Sequence, residues 1–327
     1  FKNKCEIYGT GINGYKYKKN IVLNAGNSGT LARLIMGLLV HSKNKIKIIG
    51  DKSLSKRDFL RVTKPLEKFG AKFKTNFGKL PVVIKGTKNP IPVKYKENKG
   101  SAQCKSAVML AALNTKGKTI IKAKKSRNHS ELLFKHLGIP IKIINTKKYD
   151  LIKIDGKKKI KSFNYKIPSD ISSAAFFIVL TALSKNSKLN IKNVNINPSR
   201  TGILKILKIM GVKILLKKIK NYKGEKTADI YIESSDSIKS IKCPSNLNSA
   251  SIDEFLLIFL VCAIAKGVSN FNKIGELRNK ETDRLKFANK FLNIIGIKTK
   301  ITKDSFKIYG NPNLKLEKTY KIKNFDK

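Results

Sequence analysis

The segment whose residue types are best suited to catalysis or binding runs from Arg278 to Leu285. It carries closely spaced charges of both signs. Lys280 and Arg284 are four residues apart, so on a helix they would share one face, where a like-charged pair costs roughly 0.2 to 0.5 kcal/mol. Glu281, three residues before Arg284, could offset that cost, and an anionic ligand between the two cations would do so better. A carboxylate beside such a pair could act as a general acid or base. The segment therefore predicts an anion site with acid–base chemistry.

Two polar turns near the beginning of the sequence could bind an anion elsewhere. Asn24–Thr30 is a turn of Gly, Asn, Ser and Thr that leads into an apolar helical stretch, where free backbone N–H groups attract negative charge. A simple N-cap explains this turn about as well. Gly50–Arg57 is also polar and precedes a helical stretch, so it is either an anion pocket or a solvated loop.

Three further helix starts carry candidate binding or catalytic groups. Ser101 is a good N-cap, and in the functional alternative Ser101 and Gln103 point towards a ligand. Ser126 and Arg127 belong to a polar cluster that opens another helix. Asp253 directly precedes a long apolar run, where it either stabilises the helix dipole or serves as a base in a cleft.

The charge balance is strongly basic, with 70 Lys and Arg against 21 acidic residues in 327, a formal net charge of +49. The lysines are spread along the whole chain, which favours an A/T-biased coding sequence over selection for a nucleic-acid partner. The field still attracts small phosphorylated anions. The scarce arginines are more informative, because the guanidinium group grips carboxylate or phosphate in two places. They are Arg33, Arg57, Arg61, Arg127, Arg200, Arg278 and Arg284.

Length and composition exclude several classes of protein. A chain of 327 residues with 41% hydrophobic residues is long enough for about two domains with real cores. The longest clean apolar run, Phe255–Ala265, is about half the length that a membrane-spanning helix needs. The four cysteines are scattered and form no CxxC motif, which argues against a zinc site or a disulfide framework and favours a reducing compartment.

One pattern occurs four times and indicates repeated α/β architecture. Each copy is a helical stretch that ends in an apolar pair and a Gly, followed by an alternating strand. The Gly is expected to cap the helix with a positive φ. A spacing of roughly 70 to 85 residues is long enough for a β-α-β-α-β-β unit. The four glycines are Gly70, Gly138, Gly211 and Gly296.

A polar, lysine-rich stretch from Gly156 to Ile167 marks the expected domain boundary. We therefore predict an α/β protein of two domains, residues 1–165 and 166–327, with two repeats in each.

Taken in order, these segments resemble the motifs of the EPSP synthase family, and the resemblance extends over essentially the whole chain. The string Lys280-Glu281-Thr282-Asp283-Arg284-Leu285 is highly specific to that family. Further motifs of the family follow its order along the chain: Asn27-Ser28-Gly29-Thr30, Lys56-Arg57, Ser101-Ala102-Gln103 and Ile252-Asp253-Glu254. Ser101-Ala102-Gln103, Ser126-Arg127-Asn128-His129 and Gly275-Glu276-Leu277-Arg278 resemble the bacterial class II subgroup.

The resemblance implies two similar domains of three β-α-β-α-β-β units each, with helices packed inside, and four of these six units are recognisable here. We therefore expect residues 1–165 to be an N-terminal-type domain without its first unit, and residues 166–327 a C-terminal-type domain without its last part. The family's early Lys-Ser-x-Ser-x-Arg segment would precede Phe1, and its late Asp-His-Arg segment would follow Lys327. A chain without them is expected to bind substrate weakly and to turn over little.

The resemblance also implies the reaction, which transfers the enolpyruvyl group of phosphoenolpyruvate to the 5-hydroxyl of shikimate-3-phosphate by addition and elimination, with no metal or cofactor. Asp253 would take the proton from the attacking hydroxyl, and Glu281 would exchange the proton at the methylene carbon. Phosphoenolpyruvate would be held by Asn27, Gly29, Arg57, Lys280 and Arg284. Shikimate-3-phosphate would be held by Ser101, Ala102, Gln103, Ser126, Arg127 and Asp253. A cytoplasmic monomer with small-molecule substrates and no nucleic-acid or membrane partner is expected.

Two alternatives remain open at this point. A UDP-N-acetylglucosamine enolpyruvyl transferase would share the fold and the donor, but it would normally carry a catalytic-loop cysteine, and Cys104 lies in an apolar helix. A non-catalytic basic protein that binds anions or nucleic acid would explain the net charge, but no motif supports it.

Overall fold

In this computed structural model, the structure describes residues 4–11, 17, 19–156, 159–280 and 282–316. The chain divides into two compact units, Phe1–Tyr165 (unit 1) and Lys166–Lys327 (unit 2), and each is described by itself below. The helices are α1 Gly29–Leu38, α2 Lys52–Ser55, α3 Leu60–Glu67, α4 Ala102–Leu113, α5 His129–His136, α6 Ile171–Leu183, α7 Gly202–Ile209, α8 Phe255–Ala263 and α9 Arg284–Ile294. The strands of unit 1 are β1 Ile21–Asn24, β2 Lys45–Ile49, β3 Lys72–Asn76, β4 Lys79–Lys85, β5 Lys94–Glu97, β6 Lys118–Lys124, β7 Ile141–Asn145 and β8 Tyr149–Asp155. Those of unit 2 are β9 Lys188–Asn195, β10 Lys213–Tyr222, β11 Glu225–Glu233, β12 Gly267–Asn272, β13 Thr299–Ile301 and β14 Ser305–Gly310.

Unit 1 contains two sheets with the same topology. The first has the strand order β1-β2-β4-β3 and the second β5-β6-β8-β7. In each sheet the first two strands are parallel and the remaining pairs are antiparallel. One long helix joins the parallel pair, and another joins the second and third strands of the repeat. Each half of unit 1 is therefore one β-α-β-α-β-β repeat, as predicted.

Unit 2 repeats this plan with a shortened first strand. Its sheets have the orders β9-β11-β10 and β12-β14-β13. In place of the first strand there are isolated parallel bridges, from Ser169 to Val194 and from Lys242 to Asn270. Pro168 and Pro244 flank these bridges, and proline has no backbone N–H with which to extend a ladder. The chain therefore follows the same course in unit 2 as in unit 1, although the first strand of each repeat is reduced to isolated bridges.

A glycine with positive φ ends the second helix of each of the four repeats, as the sequence predicts. The φ values are +99° at Gly70, +65° at Gly138, +97° at Gly211 and +83° at Gly296. At three of these joints the residue after Gly donates its N–H back into the helix, as Ile139 does to the Phe134 carbonyl at 3.0 Å. Such a left-handed cap satisfies the last helical carbonyls and turns the chain into the next strand.

The helices lie inside each unit, where they pack against the buried faces of the sheets. Helix α8 is apolar on all sides, and α4 is buried along most of its length although it carries Lys105 and Ser106, so neither has a face turned to water. In unit 1, α1 packs so closely on α4 that a Cβ on Gly37 would lie only 2.9 Å from the carbonyl carbon of Ala107. In unit 2, the rings of Phe259 and Phe306 pack edge to face at 4.9 Å. These cores fix the positions at which the helices begin.

None of the helices in the described ranges is long and apolar enough to cross a membrane.

Candidate active site

The predicted site residues of both units share one kind of structural position, which is the beginning of a helix. Asn27 and Gly29 lie at the start of α1, and Arg57 lies three residues before α3. Backbone N–H groups at a helix start lack partners within the helix and carry a partial positive charge, so they favour anions. Most of the other predicted residues lie in the same way: Ser101, Ala102 and Gln103 at α4, Ser126 and Arg127 before α5, Asp253 before α8, and Arg284 as the first residue of α9. Lys280 is the exception, because it lies in extended backbone after the 3-10 helix Gly275–Asn279, so it does not share a helical face with Arg284 as the sequence suggested.

In unit 1, two guanidinium groups converge on the start of α1. An ideal Cβ built on the buried Gly29 would lie 2.6 Å from Arg33 Nη1 and 3.0 Å from Arg57 Nη1. Arg33 Nη1 donates to the carbonyl of Gly29 at 3.2 Å and to Oε1 of Gln103 at 2.9 Å. The absence of a side chain at position 29 therefore leaves room for two cationic groups beside a helix N-terminus.

The guanidinium group of Arg33 is positioned by contacts with neutral groups. Its side chain is buried, and its guanidinium carbon lies 5.1 Å from the centre of the Phe59 ring. Burial and the nearby charge of Arg57 lower the pKa of Arg33 from its usual value. Among the described residues, no carboxylate lies within ion-pair distance of Arg33. A small anion at this point would add negative charge in direct contact with Arg33.

The polar turn around Asp51 folds differently from both sequence interpretations. It forms the short helix α2, in which the Asp51 side chain accepts a hydrogen bond from Leu54 N at 2.7 Å. Asn27 Nδ2 also donates to Asp51. These two hydrogen bonds lower the pKa of Asp51, and the one from Leu54 has the larger effect. The carboxylate of Asp51 thus fixes the side chain of Asn27 beside the start of α1.

Gln103 joins the start of α4 to α1. Its Nε2 donates to Thr30 Oγ1 at 2.7 Å, while its Oε1 accepts from Arg33. Ser101 is the N-cap of α4 and accepts from Cys104 N at 3.3 Å. Ser101 is therefore a helix N-cap, as one of its two sequence interpretations predicted. Gln103 joins the segment at Ser101 to the segment at Gly29.

Buried polar contacts also join α4 to the start of α5. Lys105 Nζ lies 2.6 Å from Glu131 Oε1 and donates to the carbonyl of Arg127 at 2.8 Å. Nearby, the hydroxyls of Ser106 and Ser130 are 2.6 Å apart. Unit 1 thus connects three of the predicted binding segments through α4: the start of α1, Ser101–Gln103, and Ser126–Arg127.

In unit 2, two cations converge on one carboxylate. Lys280 Nζ lies 3.5 Å and Arg284 Nη1 3.4 Å from Oδ1 of Asp253. The three side chains are 19 to 26% exposed, so solvent or a ligand can reach them. Both contacts are long for charge-assisted hydrogen bonds, which are usually about 2.7 to 2.9 Å. Glu281, predicted to exchange a proton here, lies outside the described residues.

The helix starts that carry this cluster are fixed by one further ion pair and by hydrogen bonds. Asp283 caps α9 by accepting from Lys286 N at 2.9 Å, and it also pairs with Arg278 Nη1 at 2.5 Å. Glu254, next to Asp253, is buried and accepts from the hydroxyl of Ser172. These contacts hold the backbone on both sides of Asp253 and Arg284.

Sequence reasoning did not place Arg33 or Glu254 in the site. The signal for Arg33 was its distance from Gly29, since four residues on a helix return to the same face. Glu254 carried no such signal, because an acidic residue before a helix usually stabilises the dipole alone.

Thiol and metal chemistry find little support among the described residues. These residues include no group of three or more His, Cys, Asp or Glu side chains that could hold a metal. Cys104, Cys243 and Cys262 are buried. Burial raises the pKa of Cys104, raises that of Cys243 to about 11, and raises that of Cys262 to about 12. Such thiols are poor nucleophiles, because the reactive form is the thiolate.

Comparison with known proteins identifies close similarity over most of the chain. Residues 2–321 match the family model described as EPSP synthase (3-phosphoshikimate 1-carboxyvinyltransferase). A 3-phosphoshikimate 1-carboxyvinyltransferase of Ruthia magnifica is 42% identical over 305 residues, which cover 93% of this chain and 69% of that protein. A solved structure of EPSP synthase from Acinetobacter baumannii superposes with a TM-score of 0.81 at 36% identity, covering 93% of this chain and 68% of that one. The enolpyruvyl transferase NikO from Streptomyces tendae, at 14% identity and a TM-score of 0.62, shares the fold.

Proposed function

The chain belongs to the EPSP synthase family, and from that premise we propose which of its residues carry out the reaction. Its function is the transfer of the enolpyruvyl group from phosphoenolpyruvate to shikimate-3-phosphate, with release of phosphate, in the shikimate pathway of aromatic amino acid biosynthesis. Both substrates are anions, so the site needs several cations and helix N-termini, together with a group that accepts the proton of the attacking hydroxyl.

Phosphoenolpyruvate is bound, in this proposal, by the residues with converging positive charge. Arg57 and the start of α1 at Gly29 supply cationic and backbone N–H donors in unit 1. Lys280 and Arg284 supply two further cations in unit 2. Asn27 contributes its amide, which Asp51 orients. A substrate carboxylate or phosphate can compete for Lys280 and Arg284, because their present contacts to Asp253 are long.

Shikimate-3-phosphate is bound by the starts of α4 and α5. Ser101, Ala102 and Gln103 present a helix N-terminus to the phosphate, and Arg127 offers a guanidinium to it. Ser126 Oγ is buried and makes no hydrogen bond to the described residues, so a ligand oxygen could satisfy it. The contact between Gln103 and Arg33 places this group beside the proposed donors for phosphoenolpyruvate.

Asp253 acts as the general base, and this role rests on its position between two cations at the start of α8. As the 5-hydroxyl attacks the central carbon of phosphoenolpyruvate, its proton passes to Asp253. Glu281 delivers a proton to the methylene carbon, which gives a tetrahedral intermediate. Glu281 then takes a proton back from the new methyl group as the bond to phosphate breaks, and the double bond is restored. Holding both substrates in this geometry supplies much of the rate.

Replacing the base by its amide tests this assignment. In Asp253→Asn we expect phosphate release to fall by about 10² to 10⁴, the range for loss of general acid–base catalysis. Phosphoenolpyruvate binding should not weaken, because Lys280 and Arg284 lose their internal competitor. Asp229→Asn is the matched control and should keep the full rate, because it alters a carboxylate of unit 2 that pairs with the exposed Lys218 and leaves an oxygen that can still accept from Asn193 N. An Asp253→Asn variant with the unchanged rate would remove Asp253 from the mechanism.

The finer assignments are proposals of the same kind. Residues 1–165 correspond to the N-terminal-type domain and residues 166–327 to the C-terminal-type domain, each with two repeats. The motifs Ser101-Ala102-Gln103 and Ser126-Arg127-Asn128-His129 support membership of the class II subgroup. We propose a cytoplasmic monomer with no nucleic-acid or membrane partner, for which light scattering and a nucleic-acid retention assay at about 150 mM salt are direct tests.

The proposed activity of the 327-residue chain on its own is low. The chain covers 69% of the Ruthia magnifica relative, and the family's Asp-His-Arg motif does not occur in it. We therefore expect weak binding of shikimate-3-phosphate and slow phosphate release. A rate close to that of the relative, measured side by side, would contradict this proposal.

A further inference from the structure

Lys105 is a charged residue in the core of unit 1. It belongs to the apolar helix α4, and it is fully buried, with 0% exposure of the residue. Its partner Glu131, in the first turn of α5, is 2% exposed, and the two charged atoms are 2.6 Å apart. One oxygen of Glu131, Oε2, is buried without a hydrogen bond to the described residues. The pair is thus enclosed and only partly satisfied.

Stability alone does not account for such a pair. Removing both charges from water carries a desolvation penalty that their attraction often fails to exceed, and an apolar pair of similar volume is frequently as stable or more stable. The distinguishing feature is the third contact, from Lys105 Nζ to the carbonyl of Arg127 at 2.8 Å. Lys105 therefore ties a substrate-binding segment to the core, which an apolar residue could not do.

The start of α5 has no side-chain cap of its own, so the contact from Lys105 is a restraint on this backbone that helix starts with a side-chain cap do not need. Asn128, the N-cap residue, makes no side-chain capping hydrogen bond. By contrast, Ser28 at α1, Ser101 at α4 and Asp170 at α6 each accept from the backbone three residues ahead. The backbone at Arg127 is instead held from the neighbouring helix. A guanidinium on a long flexible stem can only be aimed accurately if the backbone that carries it is fixed.

We propose that Lys105 is a positioning residue for shikimate-3-phosphate, which it serves by fixing the backbone of Arg127 through a charge-assisted hydrogen bond. Glu131 compensates the buried ammonium and has no direct part in substrate binding. This inference rests on the proposed role of Arg127.

The test is a double variant that keeps the core packed and removes the hydrogen bond from Lys105 to the carbonyl of Arg127. Lys105→Met with Glu131→Leu replaces the ion pair by apolar groups of similar volume, so no charge is left buried alone. We expect thermal unfolding close to that of the unchanged chain and a Kd for shikimate-3-phosphate, measured calorimetrically without phosphoenolpyruvate, that is raised about tenfold. A Kd within twofold of the unchanged value, in a folded protein, would overturn the proposal.

Glu131→Gln keeps the proposal testable if the double variant does not fold. This change leaves Lys105 and its hydrogen bond to Arg127 in place. The Kd for shikimate-3-phosphate should therefore stay within about twofold, even if the unfolding temperature falls. A rise as large as that expected of the double variant would show that the ion pair acts through stability and not through Arg127.

Two controls separate this inference from the proposed function. Ser106→Ala removes another polar contact between α4 and α5, which does not involve Arg127, and should leave the Kd unchanged. Arg127→Gln should weaken shikimate-3-phosphate at least as much as the double variant. If Arg127→Gln has no effect, the proposed binding role fails. If Arg127→Gln weakens binding and the double variant does not, only the positioning role of Lys105 fails.

Discussion

Unit 1 and unit 2 both gather cations at the starts of their helices, but they balance that charge in different ways. In unit 1, Arg33 donates to neutral acceptors, a backbone carbonyl and the amide oxygen of Gln103. In unit 2, Lys280 and Arg284 are both drawn towards Asp253. A cluster whose buried arginine donates to neutral acceptors is suited to holding an anion. A cluster that contains a carboxylate can hold an anion and also accept a proton.

The same contrast occurs on the outer faces of the sheets, where it has a different meaning. In the first sheet of unit 1, Lys45 and Lys72 both lie directly opposite Lys85. In the corresponding row of unit 2, Lys188 and Lys213 lie opposite Glu233 and pair with it at 3.5 and 4.0 Å. A hydrogen bond from Tyr231, together with the charges of these lysines, lowers the pKa of Glu233.

The two contrasts indicate that an excess of positive charge is not by itself a criterion for a binding site. The arginines near Gly29 are partly or fully enclosed, are oriented by neighbouring groups, and lie beside a helix N-terminus. The sheet lysines are exposed, flexible and screened by salt. The first arrangement can recognise one anion, whereas the second should affect only stability and general attraction to anions.

A large effect on phosphoenolpyruvate binding is expected at Lys280, because it takes part in both functions of the unit 2 cluster. Lys280→Met should weaken phosphoenolpyruvate binding by about 10- to 100-fold, in line with the strength of hydrogen bonds to charged groups. It should also lower the rate of the bound complex, since Asp253 loses one of its orienting contacts. Calorimetric binding and single-turnover phosphate release distinguish the two effects. A change in neither would mean that the cluster of unit 2 does not contact substrate.

A smaller effect is expected at Gly29, where the substitution Gly29→Ala adds one methyl group beside the two arginines of unit 1. The Cβ of Gly29→Ala would lie 2.6 Å from Arg33 Nη1, so the guanidinium must move. Misplacement of this size can cost up to about 100-fold, and the side chain is flexible, so we expect about a tenfold rise in the Kd of phosphoenolpyruvate. Binding of shikimate-3-phosphate should weaken less, because Arg33 reaches its proposed site only through the hydrogen bond to Gln103. A Gly29→Ala variant with unaltered phosphoenolpyruvate binding would exclude the arginine pair as its site.

The smallest effect is expected on the outer sheet of unit 1. Lys85→Glu converts the row of three lysines into the charge order found in unit 2. We expect a gain of about 0.2 to 1 kcal/mol in the free energy of unfolding, the usual range for cross-strand pairs. The gain should shrink in high salt, and substrate binding should not change. Lys85→Gln is the control that removes the charge without adding the ion pairs, and an equal gain in both variants would argue against pairing.

Much of the fold could be predicted because its signals are local. The Gly joints at 70, 138, 211 and 296 each need only one residue that tolerates positive φ, and the strand alternation follows directly. The shortened first strands of unit 2 were not predicted, because a single bridge leaves no alternation to recognise. The helix α2 was also missed, since four residues are too few for a periodic pattern.

The site was only partly predictable for a related reason. Motif residues such as Gln103 and Arg284 could be named from the sequence, but their partners come from distant segments. The contact of Arg33 with Gln103 spans 70 residues, and that of Lys105 with Glu131 joins two helices. A lysine in an apolar helix gives no sign of its partner until the fold brings the two together.

The central claim is that the arginines beside Gly29 form a specific anion site and that the sheet lysines do not. The most direct test compares two variants that each remove one positive charge from unit 1, Arg57→Gln and Lys72→Gln. The Kd of phosphoenolpyruvate is measured with shikimate-3-phosphate present at about 150 mM salt, where general attraction to anions is screened. We predict that Arg57→Gln raises the Kd by about 10- to 100-fold and that Lys72→Gln leaves it unchanged. Equal effects of the two variants would contradict the account, because they would show that net charge alone draws the substrate.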